Sequence, residues 1–292
     1  MKKKVLILGG SGLLGRALVA AFGADYNVVS PGRLEGDITN HEALRELVVR
    51  LNPAIVINAT GHNGVDQTEQ DENAFATAQK INGESVGNLA RICSETGATF
   101  VHFSTDYVFD GRSQTGYREN AEPRPINKYG ETKLLGEKLV QQNTDRFYLI
   151  RVSRLFGTPG TSATAKKSFV DIVLEAVEQK KLTEIKLVDE ETSSPTYSVD
   201  AALFTKALID TNQPFGIYHA ANEGSTTWYG LGKKIFEIVG YPVKIIPVSA
   251  ASFPRVATRP PFSKLLNTKF SQQRSWEDAL KEYLSLRKRL TK

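Results

Sequence analysis

Val5-Leu6-Ile7-Leu8 runs directly into Gly9-Gly10-Ser11-Gly12-Leu13-Leu14-Gly15, and this junction restricts the fold more than any other stretch of the chain. Four consecutive apolar residues suit a strand buried on both faces of a parallel sheet, and Leu14, Leu18 and Ala21 then recur at helical spacing. Glycines at such a junction allow a tight turn, let backbone N–H groups approach a pyrophosphate and let the helix pack closely on the strand. Both Gly9-x-x-Gly12-x-x-Gly15 and Gly10-x-Gly12-x-x-Gly15 can be drawn here. With a strand before it and a helix after it, the stretch from Gly9 to Gly15 is a candidate dinucleotide site, including Ser11, Leu13 and Leu14.

The rest of the first half keeps the same rhythm. A second strand is expected over 26–30. Thr39 with Glu42 makes a capping box for a helix running to about Leu51, which Pro53 stops. A third strand covers 54–58, a long helix runs over 71–96 with Gly97 in the place of a C-terminal cap, and a fourth strand covers 99–104. A helix over 128–142 and a fifth strand over 147–152 complete the series. Strands alternating with helices predict an α/β fold, a doubly wound parallel sheet over residues 1–152. Beyond it a loop is expected over 157–164, helices over 168–179, 198–209, 228–239 and 276–288, and a short strand over 185–188. Residues 192–220 read as a segment returning to the sheet. Residues 153–191 and 221–292 read as a smaller lobe on the sheet's carboxyl edge, where ligands bind in such folds.

At 292 residues, 40% hydrophobic and 24% charged, the composition is ordinary for a globular chain. No apolar run approaches the roughly 20 residues of a spanning helix, and Val5 to Leu8 after Lys2-Lys3-Lys4 is too short for a signal-peptide core. A cytoplasmic location is expected, with no membrane partner. The lone Cys93, beside Leu89 and Ile92, reads as a buried thiol. The formal charge of +5 raises the question of a nucleic-acid partner. Its basic clusters, however, lie at Lys2 to Lys4 and Arg287-Lys288-Arg289, without interleaved aromatics, so solvated ends are expected instead. A small anion such as a nucleotide diphosphate would also benefit from the positive field.

Outside the glycine turn, the chemistry-bearing residues are Tyr129-Gly130-Glu131-Thr132-Lys133 and, upstream, Ser104-Thr105-Asp106-Tyr107. Tyr129 and Lys133 are four apart, which puts phenol and ammonium on one helix face. A nearby ammonium favours phenolate and lowers the phenol's pKa from about 10, making it a usable proton donor near neutrality. The Thr105 hydroxyl, at a strand's carboxyl end, could bond the same substrate oxygen.

With these residues in view, the chain resembles the extended short-chain dehydrogenase/reductases, and most closely the dTDP-4-dehydrorhamnose reductase family. The likeness runs through the glycine turn, Asn58-Ala59, Val65-Asp66, Asn82, the segment Phe103 to Gly111 and Tyr129-x-x-x-Lys133. It continues into Pro195-Thr196, Gly216 to His219, Thr227-Trp228 and Arg259-Pro260-x-x-Ser263. The resemblance implies a Rossmann sheet with a substrate lobe and a catalytic triad of Thr105, Tyr129 and Lys133, with Asn82 supporting the lysine. It further implies Asp37 and Ile38 flanking an adenine, Asn58 and Ala59 along the cofactor, and His62, Val65, Asp106, Tyr107, Trp228 and Arg259 on the substrate side. The implied reaction is reduction of the C4 ketone of a nucleotide-linked 4-keto-6-deoxyhexose by NADPH or NADH, most directly dTDP-4-dehydrorhamnose to dTDP-rhamnose. Sugar-nucleotide dehydratases of the same superfamily resemble Thr-Asp-Glu where this chain has Thr105-Asp106-Tyr107, so simple reduction is favoured.

Departures from the family pattern gather on the substrate side. Arg154 stands where Trp is common, Asn63 where Thr is, Gln67 where Lys is, Phe262 where Asn is, and Ser193 replaces a glycine. Arg154 reads either as a substrate contact or as half of a surface ion pair. His62 reads equally as a substrate-loop or a structural residue, and His41, His102 and His219 as structural. No spacing suggests metal ligands. Asp189-Glu190-Glu191 reads as a solvated acidic run, with an intersubunit metal as the family alternative, so a Mg2+ requirement stays open, as does a homodimer. Ser30-Pro31-Gly32-Arg33 brings no acid to the end of the second strand, and Arg33 could pair with the 2′-phosphate of NADPH. The rival from another class is a nucleotide-sensing subunit, because the regulatory β subunit of methionine adenosyltransferase resembles this family.

Overall fold

The computed structural model describes residues 2–162 and 165–290; the last two residues of the expected 157–164 loop lie outside them. The chain opens with β1 (Lys4–Leu8), α1 (Leu13–Gly23), β2 (Asn27–Val29), α2 (His41–Leu51) and β3 (Ile55–Asn58). Helices α3 (Val65–Gln70), α4 (Glu72–Gln79) and α5 (Ser85–Thr96) follow, then β4 (Thr99–Thr105), α6 (Lys128–Asn143) and β5 (Phe147–Val152). The strands β6 (Leu155–Phe156), β7 (Glu184–Val188) and β8 (Thr196–Tyr197) are interspersed with α7 (Phe169–Lys180) and α8 (Ser198–Asp210). The chain ends through β9 (Gly216–His219), α9 (Trp228–Val239), β10 (Lys244–Val248) and α10 (Trp276–Leu290).

The main sheet has the order β2-β1-β3-β4-β5-β9, every pairing parallel. Strand order reverses between β1 and β3, so a crevice opens beyond their carboxyl ends. Alternate residues of β1 serve opposite faces. Val5 and Ile7 pack with Leu18 and Phe22 of α1 and Phe204 and Leu208 of α8, whereas Leu6 and Leu8 pack with Leu44 of α2 and Leu89 and Cys93 of α5. Each such fully buried side chain contributes roughly 1.5–3 kcal/mol. A separate core joins Phe156, Val170, Leu174, Leu231, Trp276 and Tyr283, and the small parallel pairs β7–β10 and β6–β8 border it.

Several local expectations need correction. Asn40, not Thr39, caps α2, accepting from the Ala43 N–H at 3.3 Å, because Thr39 bonds the Asp37 carboxylate through both its N–H and its hydroxyl. The single helix over 71–96 is two helices joined by a π-helical turn at Lys80–Glu84, and α3 precedes them. One extra residue per turn there swings Asn82 inward, where it is buried. The basic C-terminal cluster is not wholly solvated. Arg287 donates to both Glu178 oxygens at 2.8 Å, tying α10 to α7.

Candidate active site

At the carboxyl end of β1, Gly9 adopts φ +80°, a conformation L side chains rarely take. A Cβ on Gly15 would fall 2.0 Å from the Gly9 carbonyl oxygen, so α1 rides directly on the turn. The two glycines account for the tightness of the turn, and Gly12 closes it by donating its N–H to Gly9 at 3.0 Å. Helix α1, like α3, α5 and α8, carries no side-chain cap, and it has no acid in its first turn. Its leading N–H groups, with the positive end of the helix dipole, suit a pyrophosphate. Ser11, Leu13 and Leu14 complete this cradle, and Thr161 reaches over it, donating its N–H to the Ser11 carbonyl at 2.8 Å.

The flanking cofactor candidates divide between surface and interior. At the end of β2, Ser30 bonds the Ile7 carbonyl at 3.0 Å, and Arg33 beyond it is exposed. The Thr39 donors, backbone first, hold the Asp37 carboxyl below its usual range. Ile38 is buried among Leu6, Leu8 and Leu44, so its side chain serves the core. Asn58 is wholly buried and Ala59 closes against Gly9. Asn82 spends its side chain on both backbone polar atoms of His62, at 2.8 and 3.0 Å, and on the Thr132 hydroxyl at 3.1 Å. It therefore positions the loop after β3.

Thr105, Tyr129 and Lys133 come together at the carboxyl end of β4, where α6 starts. Asn127 caps that helix at 2.8 Å, and a Cβ on Gly130 would lie 2.2 Å from the Tyr107 carbonyl oxygen, so the first turn sits tight on the strand end. The ring of Tyr107 meets that of Tyr129 edge-on at 5.7 Å. The Lys133 Nζ donates to the Phe103 carbonyl at 2.7 Å, and burial pulls its pKa down to about 8 against the favourable charge of Glu137. The phenol behaves otherwise than the spacing predicts. Burial and then the Asp106 charge push the Tyr129 pKa up, with a Thr105 hydrogen bond opposing, because Lys133 is turned to the strand carbonyl.

The substrate-side candidates are held by one another. Asp106 is buried and accepts from three hydroxyls: Ser263 at 2.5 Å, Ser153 at 2.8 Å and Thr105 at 3.1 Å. Arg259 grips both carboxylate oxygens of Asp66, at 2.5 and 2.6 Å, one residue past Val65, and that pairing takes Asp66 down to about 2. Burial, then the neighbouring Lys166, lowers the pKa of His62. Arg154 corrects the expectation of a surface ion pair. At φ +41° it lies 3.8 Å over the Trp228 ring and donates to the Thr226 and Glu191 carbonyls at 2.9 and 2.6 Å. Glu191 is likewise not part of a solvated run. It is buried, paired with Arg255, and accepts from the Trp228 indole N–H at 3.0 Å. Of its neighbours, Asp189 accepts from Thr227 and Glu190 from the Ala250 N–H. A cleft of about 340 Å³ opens beside this cluster, lined by Phe253, Arg255, Thr258 and Arg259. A broader depression beside the start of β1 and the end of α8 mixes Lys2, Lys3 and Lys206 with Asp25 and Asp210.

Sequence inspection missed the buried pair Arg151–Glu137, bidentate at 2.9 and 2.7 Å, which fastens α6 to β5. A signal was present: Glu137 continues the series Tyr129, Lys133 at the same helical spacing.

A family model described as the RmlD substrate binding domain matches residues 2–288. The chain is 36% identical over 292 residues to a dTDP-4-dehydrorhamnose reductase of Streptomyces griseus, covering 95% of this chain and 91% of that one. It is 32% identical over 268 residues to a dTDP-4-keto-6-deoxy-D-glucose reductase of Streptomyces niveus, covering 91% and 89%. Among solved structures, a Bacillus anthracis dTDP-4-dehydrorhamnose reductase in complex with NADP superposes with TM-score 0.91 at 32% identity, over 98% of this chain and all of that one.

Proposed function

The chain belongs to the dTDP-4-dehydrorhamnose reductase family, and we propose that it reduces the C4 ketone of a nucleotide-linked 4-keto-6-deoxy sugar, dTDP-4-dehydrorhamnose, to dTDP-rhamnose. One observation carries this reading: Thr105, Tyr129 and Lys133 meet at the end of β4 beside a glycine turn whose helix N-terminus has no side-chain cap. A bound reduced nicotinamide supplies the hydride. Tyr129 supplies the proton to the forming alkoxide, and its raised pKa keeps the phenol loaded with that proton throughout the neutral range. Thr105 orients the carbonyl oxygen, and Lys133 lies on the same face of α6, its Nζ held at the Phe103 carbonyl.

NADPH is the preferred cofactor in this reading. No carboxylate stands at the end of β2 to bind a ribose 2′-hydroxyl and repel a 2′-phosphate, and Arg33 is exposed there to receive one. On the sugar side, the stacked Arg154–Trp228 pair favours a second reading, a different 4-keto sugar nucleotide with an added oxygen or charge. Steady-state oxidation of NADPH and NADH against a panel of 4-keto sugar nucleotides separates these readings. Turnover best with dTDP-4-dehydrorhamnose supports the first. NADPH binding without turnover on any member overturns both and leaves a non-catalytic NADP-binding subunit.

A further inference from the structure

Asn58 on β3 and His102 on β4 face each other in register, both wholly buried. The Asn58 side-chain oxygen accepts from the Thr60 N–H at 3.1 Å and the Thr60 hydroxyl at 2.6 Å. Its amide nitrogen is thereby directed at His102 Nδ1, 3.2 Å away, so Nδ1 must accept. A neutral imidazole accepting at Nδ1 carries its proton on Nε2. That Nε2 lies 3.5 Å from Lys133 Nζ. An ammonium has only donors to offer there, whereas an amine has a lone pair that the Nε2–H can meet.

We propose that His102 is a positioning residue acting through Lys133: locked by Asn58 with its proton on Nε2, it disfavours the ammonium and keeps Lys133 able to change protonation state near neutral pH. Its use in catalysis rests on the ketoreduction reading, since each turnover takes a proton from Tyr129 that must be restored. Burial already disfavours the Lys133 ammonium, and of the polar groups around it His102 is the one placed to add to that. Glu137, on the lysine's own helix, favours the ammonium but is held by Arg151 of β5. Asp106, just past β4, acts on Tyr129, which stays a neutral phenol. Glu69 of α3 and Glu72 of α4 are bonded by Lys128, and Lys80 and Glu84 of the π-helical turn are exposed. From α5, Cys93 lies in the core while Arg91 and Glu95 pair with each other outside. Burial and the charge of Lys133 hold His102 itself neutral.

The test uses the cofactor-free protein, with nitrogen-15 spectra of the histidine rings and a carbon-13 titration of the lysine Cε, Lys133 being assigned by its loss in Lys133→Met. The expected result is the Nε2–H tautomer at His102 and a Lys133 midpoint near 8. In His102→Gln, whose side-chain oxygen can accept from the ammonium, that midpoint should lie at least about one pH unit higher, and the alkaline limb of kcat/KM should move with it. Asn58→Ser, which frees Nδ1 to take the proton, should raise the midpoint in the same direction and serves if His102→Gln does not fold. An Nδ1–H tautomer in the wild type, or an unchanged midpoint in either folded variant, overturns the proposal. Because both spectra are recorded without substrate, a failed turnover assay counts against the reduction reading alone.

Discussion

The two walls of the site are built on different principles. The proposed cofactor wall is backbone: a glycine turn, a helix end without a side-chain cap, and β1, whose apolar run is buried to its last residue. The proposed substrate wall is side chain on side chain, with Arg154 on Trp228, Trp228 on Glu191, Glu191 on Arg255 and Arg259 on Asp66. A backbone cradle accepts any ligand with the right phosphate geometry. In a wall of paired arginines each pair has to be replaced as a unit, since removing one partner strands the other.

Breaking the catalytic end should give the largest effect. Tyr129→Phe should lower kcat by about 10²–10⁴-fold while the dissociation constant for NADPH stays unchanged, because the ring still fills its place but donates no proton. Next comes a direct contrast in urea unfolding. Arg151→Met leaves Glu137 buried without its partner and should cost about 3–5 kcal/mol. Arg154→Met strands two backbone carbonyls and should cost about 1–3 kcal/mol.

Acid should loosen the sheet before it touches the exposed pairs. Burial, then Arg151, takes the pKa of His219 down to about 3, so the unfolded chain binds a proton between about pH 6.5 and 3 that the folded chain refuses. This contribution is therefore complete above pH 6.5 and falls as pH drops through that window, by up to about 1.4 kcal/mol per pH unit. Urea midpoints from pH 7 to 4 check this, and His219→Gln should reduce the slope, the buried His102 keeping the remainder. On the cofactor wall, Arg33→Ala should weaken NADPH binding about ten- to a hundredfold and leave NADH alone, as expected for one charge-assisted contact. The smallest effect belongs to Asp66→Asn. The bridge it weakens is half-exposed and should cost under about 1 kcal/mol, with any kinetic change in KM.

The contrast between the walls also decides what could be read from the chain alone. Period-two burial, glycine spacing and Tyr129-x-x-x-Lys133 are local signals, and the parallel sheet follows from them. Where two local signals competed, the nearer hydrogen bond decided: Asp37 captured Thr39 and left Asn40 to cap α2. Nothing local marks the break in the helix over 71–96, because the widened turn is set by the contact between Asn82 and Gly136 across two helices. Arg154 could be placed beside the fifth strand, but its partners lie 37 and 72 residues away, and no pattern within its neighbourhood names Glu191 or Thr226. The phenol's shift was missed for a similar reason. Helical spacing brings Lys133 alongside Tyr129, while the carbonyl of Phe103 determines where the ammonium points.

The clasp at Asp106 bears on how such proteins can be recombined. One carboxylate collects hydroxyls from three stretches of chain, Thr105, Ser153 and Ser263, the last 157 residues distant. A chimera that joins residues 1–152 of one such chain to the remainder of another inherits Asp106 from one parent and two of its donors from the other. Crossover sites therefore have to carry Ser153 and Ser263 as a matched set, or the hybrid will bury an acid that neither parent left unanswered.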